Sequence, residues 1–221
     1  TGDLRIDDPS NKSGIRKDSF PGFPIFRSFD DSYAYYDRND IYHGIYDRDR
    51  FSFHLQPFEI DSLDNYTGKG LWFAGTFESA GIFPTFDDTL RLQEDYSLGF
   101  NRKTPDGGFA IYGGKGKYYN DIQLSHKGLK GTGQFEYLTA KATADDILFF
   151  PDSTNLHTNT FAITEVVTGI EFPEVSNSAT YAQFLPYQDK LTIDKKSEVF
   201  NFYKGQATFN GNLLMQPTGI T

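Results

Sequence analysis

Phe51-Ser52-Phe53-His54-Leu55-Gln56 alternates apolar with polar residues one by one. In an extended chain Phe51, Phe53 and Leu55 fall on one side, and Ser52, His54 and Gln56 on the other. That two-residue period marks a strand with one face in a core and the other in water. Leu71 to Phe77 repeats the pattern. Leu71, Phe73 and Phe77 share a face, Gly75 leaves a gap in it, and Trp72 falls on the opposite face.

Outward from these two stretches the chain reads as strand after strand. Tyr33–Tyr36 and Ile41–Tyr46 are strand-like runs, set off by Asp37-Arg38-Asn39-Asp40 and Asp47-Arg48-Asp49-Arg50. Further runs fall at 122–124, 134–139, 146–150, 160–167, 190–194, 198–203 and 207–215. Asn101 to Gly108 is a turn signal: Pro105 presets φ, Asp106 can bond its own backbone, and Gly107 or Gly108 can take positive φ. It predicts a hairpin joining strands near 94–100 and 109–112. Lys127-Gly-Leu-Lys-Gly-Thr-Gly133 reads as a break. Segments 86–95 and 137–147 tempt a helical reading, but Leu90 and Leu92 fit period two better, and Thr139 and Thr143 interrupt the alanines. At most one short helix is expected.

The expected fold is all-β, a mostly antiparallel sandwich or barrel, or a solenoid-like stack of short strands. Residues 1–28 carry Phe20, Phe23 and Phe26 beside Pro21 and Pro24, which predicts an extended N-terminal arm that docks on something. Residues 29–221 are read as a single β-rich domain with a sub-boundary near 151–160.

Composition agrees. Phe 22, Tyr 14 and Gly 21 against Met 1 suit pleated strands and tight turns, and that many rings can bury a core. The net charge of −9 argues against nucleic acid as a partner. Zero cysteines exclude disulfides, Cys-based zinc sites and a thiol nucleophile. No run approaches the roughly 18 apolar residues of a membrane helix, so no spanning segment is expected. The chain opens at Thr1 without Met, basic n-region or apolar h-region, and reads as a mature or excised piece of something longer.

The chain carries one faint internal echo. Aligning Gly128 with Gly219 pairs Leu124 with Met215 and Leu129 with Ile220, an offset of 219 − 128 = 91 residues. Each copy is a strand, a polar break, then Gly and an aliphatic residue. Read functionally, this is a repeat unit of a long β protein whose end faces are covered by neighbours; the competing reading is coincidence between two glycine turns.

Chemistry-bearing motifs are sparse. His43, His54, His126 and His157 have no metal-binding spacing and read as surface histidines. A His-Ser-acid arrangement would have to assemble in space, since no Gly-x-Ser-x-Gly elbow is present. Asp30-Asp31, Asp87-Asp88 and Asp145-Asp146 are adjacent pairs, whose members point to opposite faces of a strand. Asp61, Asp64 and Asn65 offer clustered oxygens for a calcium ion, which needs about 6–8 of them, although Asp and Asn are also ordinary turn formers. Gly113-Gly-Lys-Gly-Lys117 lacks the Ser/Thr and helix of a phosphate loop and reads as a turn. The aromatic excess is the main lead: Trp72, Tyr35, Tyr42, Tyr112 and Tyr118 are candidates for a ring platform that stacks on sugars, against the competing reading of core packing.

Phe83-Pro84-Thr85-Phe86, Asp95 to Phe100, Lys127 to Gly133 and Phe149 to Ser153 resemble, in style, very large exported β-rich proteins of Gram-negative cell envelopes. The resemblance implies a periplasmic, cell-surface or extracellular setting and a structural or binding role; it carries no site residue across. The expected function is therefore a non-catalytic segment whose partner is a glycan, a protein surface or neighbouring domains of the same long chain. A carbohydrate-active hydrolase using two carboxylates is the alternative, and an excised interface module a third.

Overall fold

The alternation of ring and polar residues folds into strands almost without interruption. The computed structural model describes residues 2–5, 25–29, 32–37, 46–60, 71–164, 171–202, 205–217 and 219–220. In chain order the strands are β1 (Gly2–Arg5), β2 (Ile25–Ser28), β3 (Ser32–Tyr35), β4 (Phe51–Leu55), β5 (Glu59–Ile60), β6 (Trp72–Ser79), β7 (Phe86–Leu92), β8 (Leu98–Lys103) and β9 (Phe109–Ile111). They continue as β10 (Gly116–Ser125), β11 (Gly128–Tyr137), β12 (Ala140–Phe149), β13 (Thr154–Thr164), β14 (Glu171–Leu185), β15 (Lys190–Phe202), β16 (Gly205–Gln216) and β17 (Gly219–Ile220). Among the described residues the only helical pieces are 3₁₀ turns at Tyr112–Gly114 and Pro186–Gln188. Both segments that tempted a helical reading are strands, β7 and β12.

One antiparallel sheet of 14 strands holds the fold together, in the order β3-β4-β6-β7-β8-β10-β11-β12-β13-β14-β15-β16-β17, with β9 beside β10. It is a meander in which the strands follow one another in chain order, apart from β5, which leaves for the small sheet between β4 and β6, and β9, which lies in line with β8. The sheet does not close into a barrel. A small sheet, β1-β2-β5, carries the N-terminal end of the chain. Phe26 meets Phe58 at 5.9 Å and Phe58 meets Phe73 at 4.6 Å, so this small sheet is seated on β6 by its rings.

The expected hairpin between 94–100 and 109–112 does not form. β8 and β9 both pair with β10, at residues 121–124 and 116–118 respectively, and lie end to end along it. The Thr104–Gly108 turn closes through Gly108 N–H to the Pro105 carbonyl at 2.7 Å, but the chain resumes its former direction. The turn chemistry was legible, and its role as an excursion within one strand line was not.

The inner face is a wall of rings. Phe51, Phe53, Phe77, Phe100, Phe135, Phe149, Phe161 and Phe184 are fully buried. Each such burial is worth about 1.5–3 kcal/mol. Phe83, in the β6–β7 turn, packs on Phe149 of β12 at 4.9 Å. Three strands, β8, β10 and β11, separate β7 from β12. In a flat sheet they would hold these residues about 19 Å apart, so the sheet curls and its aromatic face closes on itself.

Buried tyrosines seal the places where ladders end. The Tyr46 hydroxyl accepts from Leu129 N–H (3.3 Å) and donates to the Phe149 carbonyl (2.7 Å), bridging the end of the β11–β12 pair. The Tyr36 hydroxyl donates to the Leu98 carbonyl at 3.1 Å. Gly131 of β11, inside the stretch read as a break, is required by packing: a Cβ there would overlap the Tyr118 hydroxyl and sit 2.9 Å from the Phe149 ring. Gly133 (φ +153°) lies at a register shift between Gly131 and Gly133, where β11 bulges against β12.

Candidate functional site

With the rings turned inward, functional side chains are to be sought on the outer face. Trp72 opens β6 with 61% of its surface exposed, beside Arg91 of β7 as its cross-strand partner. Tyr33 and Tyr35 are also exposed, on β3. Their rings stack at 5.9 Å, Tyr33 stacks on His54 at 4.7 Å, and the Arg48 guanidinium lies 4.7 Å from the Tyr35 ring centre. Tyr33 and Tyr35 thus stack on their neighbours while staying 43% and 45% exposed, less than Trp72. Of the candidate rings that are described, Trp72 is the most exposed.

Two members of the expected platform must be withdrawn. Tyr112 is buried at the first position of its 3₁₀ turn; its hydroxyl lies 2.7 Å from the Phe150 carbonyl, 2.8 Å from the Ser153 carbonyl and 2.7 Å from Thr154 Oγ1. Tyr118 is fully buried and donates to the Asp121 carbonyl at 2.6 Å. Burial pushes both phenols well above the ordinary tyrosine range. Position alone could not separate core from surface tyrosines, since both occur on strands of the same period. Tyr42, Asp61, Asp64 and Asn65 lie outside the described residues. Among the described residues no group of three or more His, Asp or Glu side chains is placed to hold a metal ion.

A second feature escaped the sequence reading. A groove of about 740 Å³ runs across β8, β10, β11 and β12, with Asn101, Lys103, Gln123, Lys130 and Thr132 in its lining. Asp121 lies on β10, and Asp145 and Asp146 lie on β12, at its rim. The adjacent Asp145 and Asp146 were expected on opposite faces. Both are exposed, because the β12–β13 register shifts between Ala144 and Asp146 and the extra residue turns two carboxylates outward. Asp145 accepts from Asn159 Nδ2 at 2.7 Å, and Asp146 lies 3.7 Å from Lys130 Nζ. Asp87 and Asp88, on an unbulged strand, diverge as alternation requires: Asp87 accepts from Thr76 Oγ1 at 2.6 Å, while Asp88 faces Arg102 at 3.3 Å. Asp30 and Asp31 lie outside the described residues.

One acid-histidine-serine cluster does assemble, at the β7–β8 and β10–β11 turns. His126 Nδ1 lies 3.0 Å from Asp95 Oδ2, and Ser97 Oγ donates to Asp95 Oδ1 at 2.6 Å while accepting from the His126 backbone N–H at 3.1 Å. The Ser97 hydroxyl holds the Asp95 carboxyl below its usual range, aided by its own N–H and by His126. A nucleophile needs its hydroxyl on the imidazole that will take its proton. Here the serine proton is given to the acid, so the cluster pins two turns together. Of Gly113-Gly-Lys-Gly-Lys117, the first three residues form a turn, with Gly113 and Gly114 at positive φ, and Gly116 and Lys117 open β10. Lys115 Nζ reaches across to the Pro186 carbonyl (2.7 Å) and Asp189 (2.8 Å).

Compared with protein-family models, with curated proteins and with solved structures, the chain matches none, and the reading of this outer face rests on its own geometry.

Proposed function

We propose that this chain is a non-catalytic scaffold segment of a larger exported or cell-surface protein, whose outer sheet face binds a glycan or a protein surface. The supporting observation is the division of labour between the faces. Most phenylalanines are spent on the inner wall, while the outer face runs from Trp72 through Arg91 and Asn101 to the groove. Arg91 pairs with Gly99, two residues from Asn101 on the same side of β8. An apolar ring beside mixed donors and acceptors suits a ligand with apolar faces and many hydroxyls.

A hydrolase has one observation in its favour. Asp121 and the outward pair on β12 flank β11, two strand spacings apart, or roughly 9–10 Å. Inverting glycosidases hold their carboxyls about 6.5–9.5 Å apart. A glycan-array and hydrolysis screen of the intact chain, with and without calcium, separates the readings. Binding without turnover, lost in Trp72→Ala, supports the scaffold. Turnover lost in Asp121→Asn installs the hydrolase. Binding that requires calcium and is lost in Asp61→Asn and Asp64→Asn assigns the cation to Asp61, Asp64 and Asn65. Silence on both screens removes the glycan and leaves the protein surface.

A further inference from the structure

The corner of the sheet where β6 begins and β7 ends brings together two exposed rings and two cations that meet no carboxylate among the described residues. Trp72 and Arg91 are opposite each other in the ladder, and both are exposed. The β7–β8 turn begins at Gln93, about 7 Å beyond Arg91 along the strand. It carries Tyr96, the most exposed of the large apolar side chains described, at 85%.

Tyr96 is held out against its own backbone preference. Its φ is +63°, in the left-handed region that glycine or asparagine usually occupies and where a bulky side chain is costly. Hydrogen bonds on both sides impose it. Gln93 N–H donates to the Ser97 carbonyl at 2.8 Å, and Tyr96 N–H to the Gln93 carbonyl at 3.0 Å. Asp95 accepts from the Ser97 N–H at 3.1 Å and from its hydroxyl at 2.6 Å, and lies 3.0 Å from His126. The cluster that pins the two turns together therefore also fixes the residues on either side of Tyr96. Strained residues that persist in this way gather at ligand clamps.

The cations are a second observation. With 30 acidic and 21 basic side chains, a base in this chain has acids to spare. Seven Lys and Arg side chains among the described residues sit against a carboxylate. Arg91 does not, nor does Lys127, exposed in the β10–β11 turn that the His126 N–H ties to Ser97. Asp95 is already committed to Ser97 and His126, and Glu94 of the same turn pairs with neither cation.

We infer that this corner binds a short acidic oligosaccharide, with Trp72 and Tyr96 stacking on sugar faces and the Arg91 guanidinium taking a sugar carboxylate. A carboxylate is the planar match to the guanidinium fork, and on a sugar it stands at the ring edge and leaves the faces free to stack. The net charge of −9 repels a long polyanion, which limits the ligand to a few sugars. The inference rests on the glycan reading above and names the class of glycan.

Titration calorimetry of the intact chain, in the presence of a chelator, tests it with tetramers of galacturonate, mannuronate and glucuronate and with their carboxyl-reduced forms. At least one acidic tetramer is expected to bind, and its reduced form about tenfold or more weaker. Arg91→Gln should erase that difference. Trp72→Ala and Tyr96→Gly should each weaken the acidic tetramer about tenfold, while Tyr96→Phe keeps it. Tyr96→Gly should at the same time raise the urea midpoint, because glycine relieves the left-handed strain, so lost binding is not lost fold. Equal binding of acidic and reduced forms, indifference to Arg91→Gln or Tyr96→Gly, or a lower midpoint in Tyr96→Gly would overturn the inference and leave the glycan reading standing. So would silence of every tetramer while neutral glycans bind on the array. Silence of both would overturn the two together.

Discussion

Replacing Tyr112 with phenylalanine removes one oxygen and leaves the ring against Phe184, 5.8 Å away. That oxygen has three neighbours between 2.7 and 2.8 Å. A hydroxyl has one proton, which the Phe150 and Ser153 carbonyls share, so Thr154 must be the donor of the third bond. The substitution therefore deletes about two net hydrogen bonds at roughly 1 kcal/mol each. It also leaves the Thr154 hydroxyl, fully buried, with its proton unplaced. A loss of about 2–3 kcal/mol follows. For a chain of this size that lowers Tm by about 4–12 °C. Urea unfolding followed by tryptophan fluorescence or circular dichroism measures it. Thr154→Val removes the orphaned donor, so the double variant should cost at least about 0.5 kcal/mol less than the two single losses added together. A Tyr112→Phe loss under about 0.5 kcal/mol, or strict additivity, would refute the claim that this hydroxyl clamps the β12–β13 turn.

Three other outcomes follow from the packing. Gly131→Ala should destabilise by about 1–3 kcal/mol, although Gly to Ala in a strand normally helps, because the new methyl overlaps Tyr118 and Phe149; an unchanged urea midpoint would show that the rings yield. Burial raises the phenols of Tyr36, Tyr112 and Tyr118. A proton held more tightly when folded stabilises fully below the unfolded value near pH 10, and that contribution is lost as pH climbs above it, at about 1.4 kcal/mol per pH unit for each group. Denaturation midpoints should therefore be flat with respect to these groups below pH 10 and fall steeply above it, less so in Tyr112→Phe. Arg102→Lys keeps the charge beside Asp88 but gives up the planar contact with Phe86, 4.1 Å from the guanidinium carbon, and should cost about 1 kcal/mol by urea titration; no loss would mean that charge alone matters there.

What was legible in the sequence depended on a strict period of two. Phe51, Phe53 and Leu55 read correctly as inward and His54 as outward, while Ser52, expected in water, is buried under its neighbours; Trp72 reads as outward because Phe73 and Phe77 read as inward. Turns were legible as turns from Gly, Pro and Asp, yet whether a turn reverses the chain or interrupts a strand depends on what lies beside it. β10 is long enough to take β8 and β9 in line, and nothing between 101 and 108 records that. The stretch 127–133 looked like a break because glycine is a poor strand former; its Gly131 is there for the rings of two other strands.

The groove was hidden for a related reason. A bulge inserts one residue and exchanges the faces beyond it, so alternation predicts wrongly at the one place where two neighbouring carboxylates come out together. Local sequence records the backbone's preferences, while a bulge is set by the pairing partner, here β13 against β12. The same dependence limits the 91-residue echo. Its pairing recurs where β8 meets β10 and β15 meets β16, and in the two-residue turns that follow. It fails one ladder earlier: Arg91 faces Gly99, which would put Ala182 opposite Lys190, yet Ala182 faces Ile193. Each ladder takes its register from its own turns and bulges, so a likeness in one hairpin does not extend to the strands beside it.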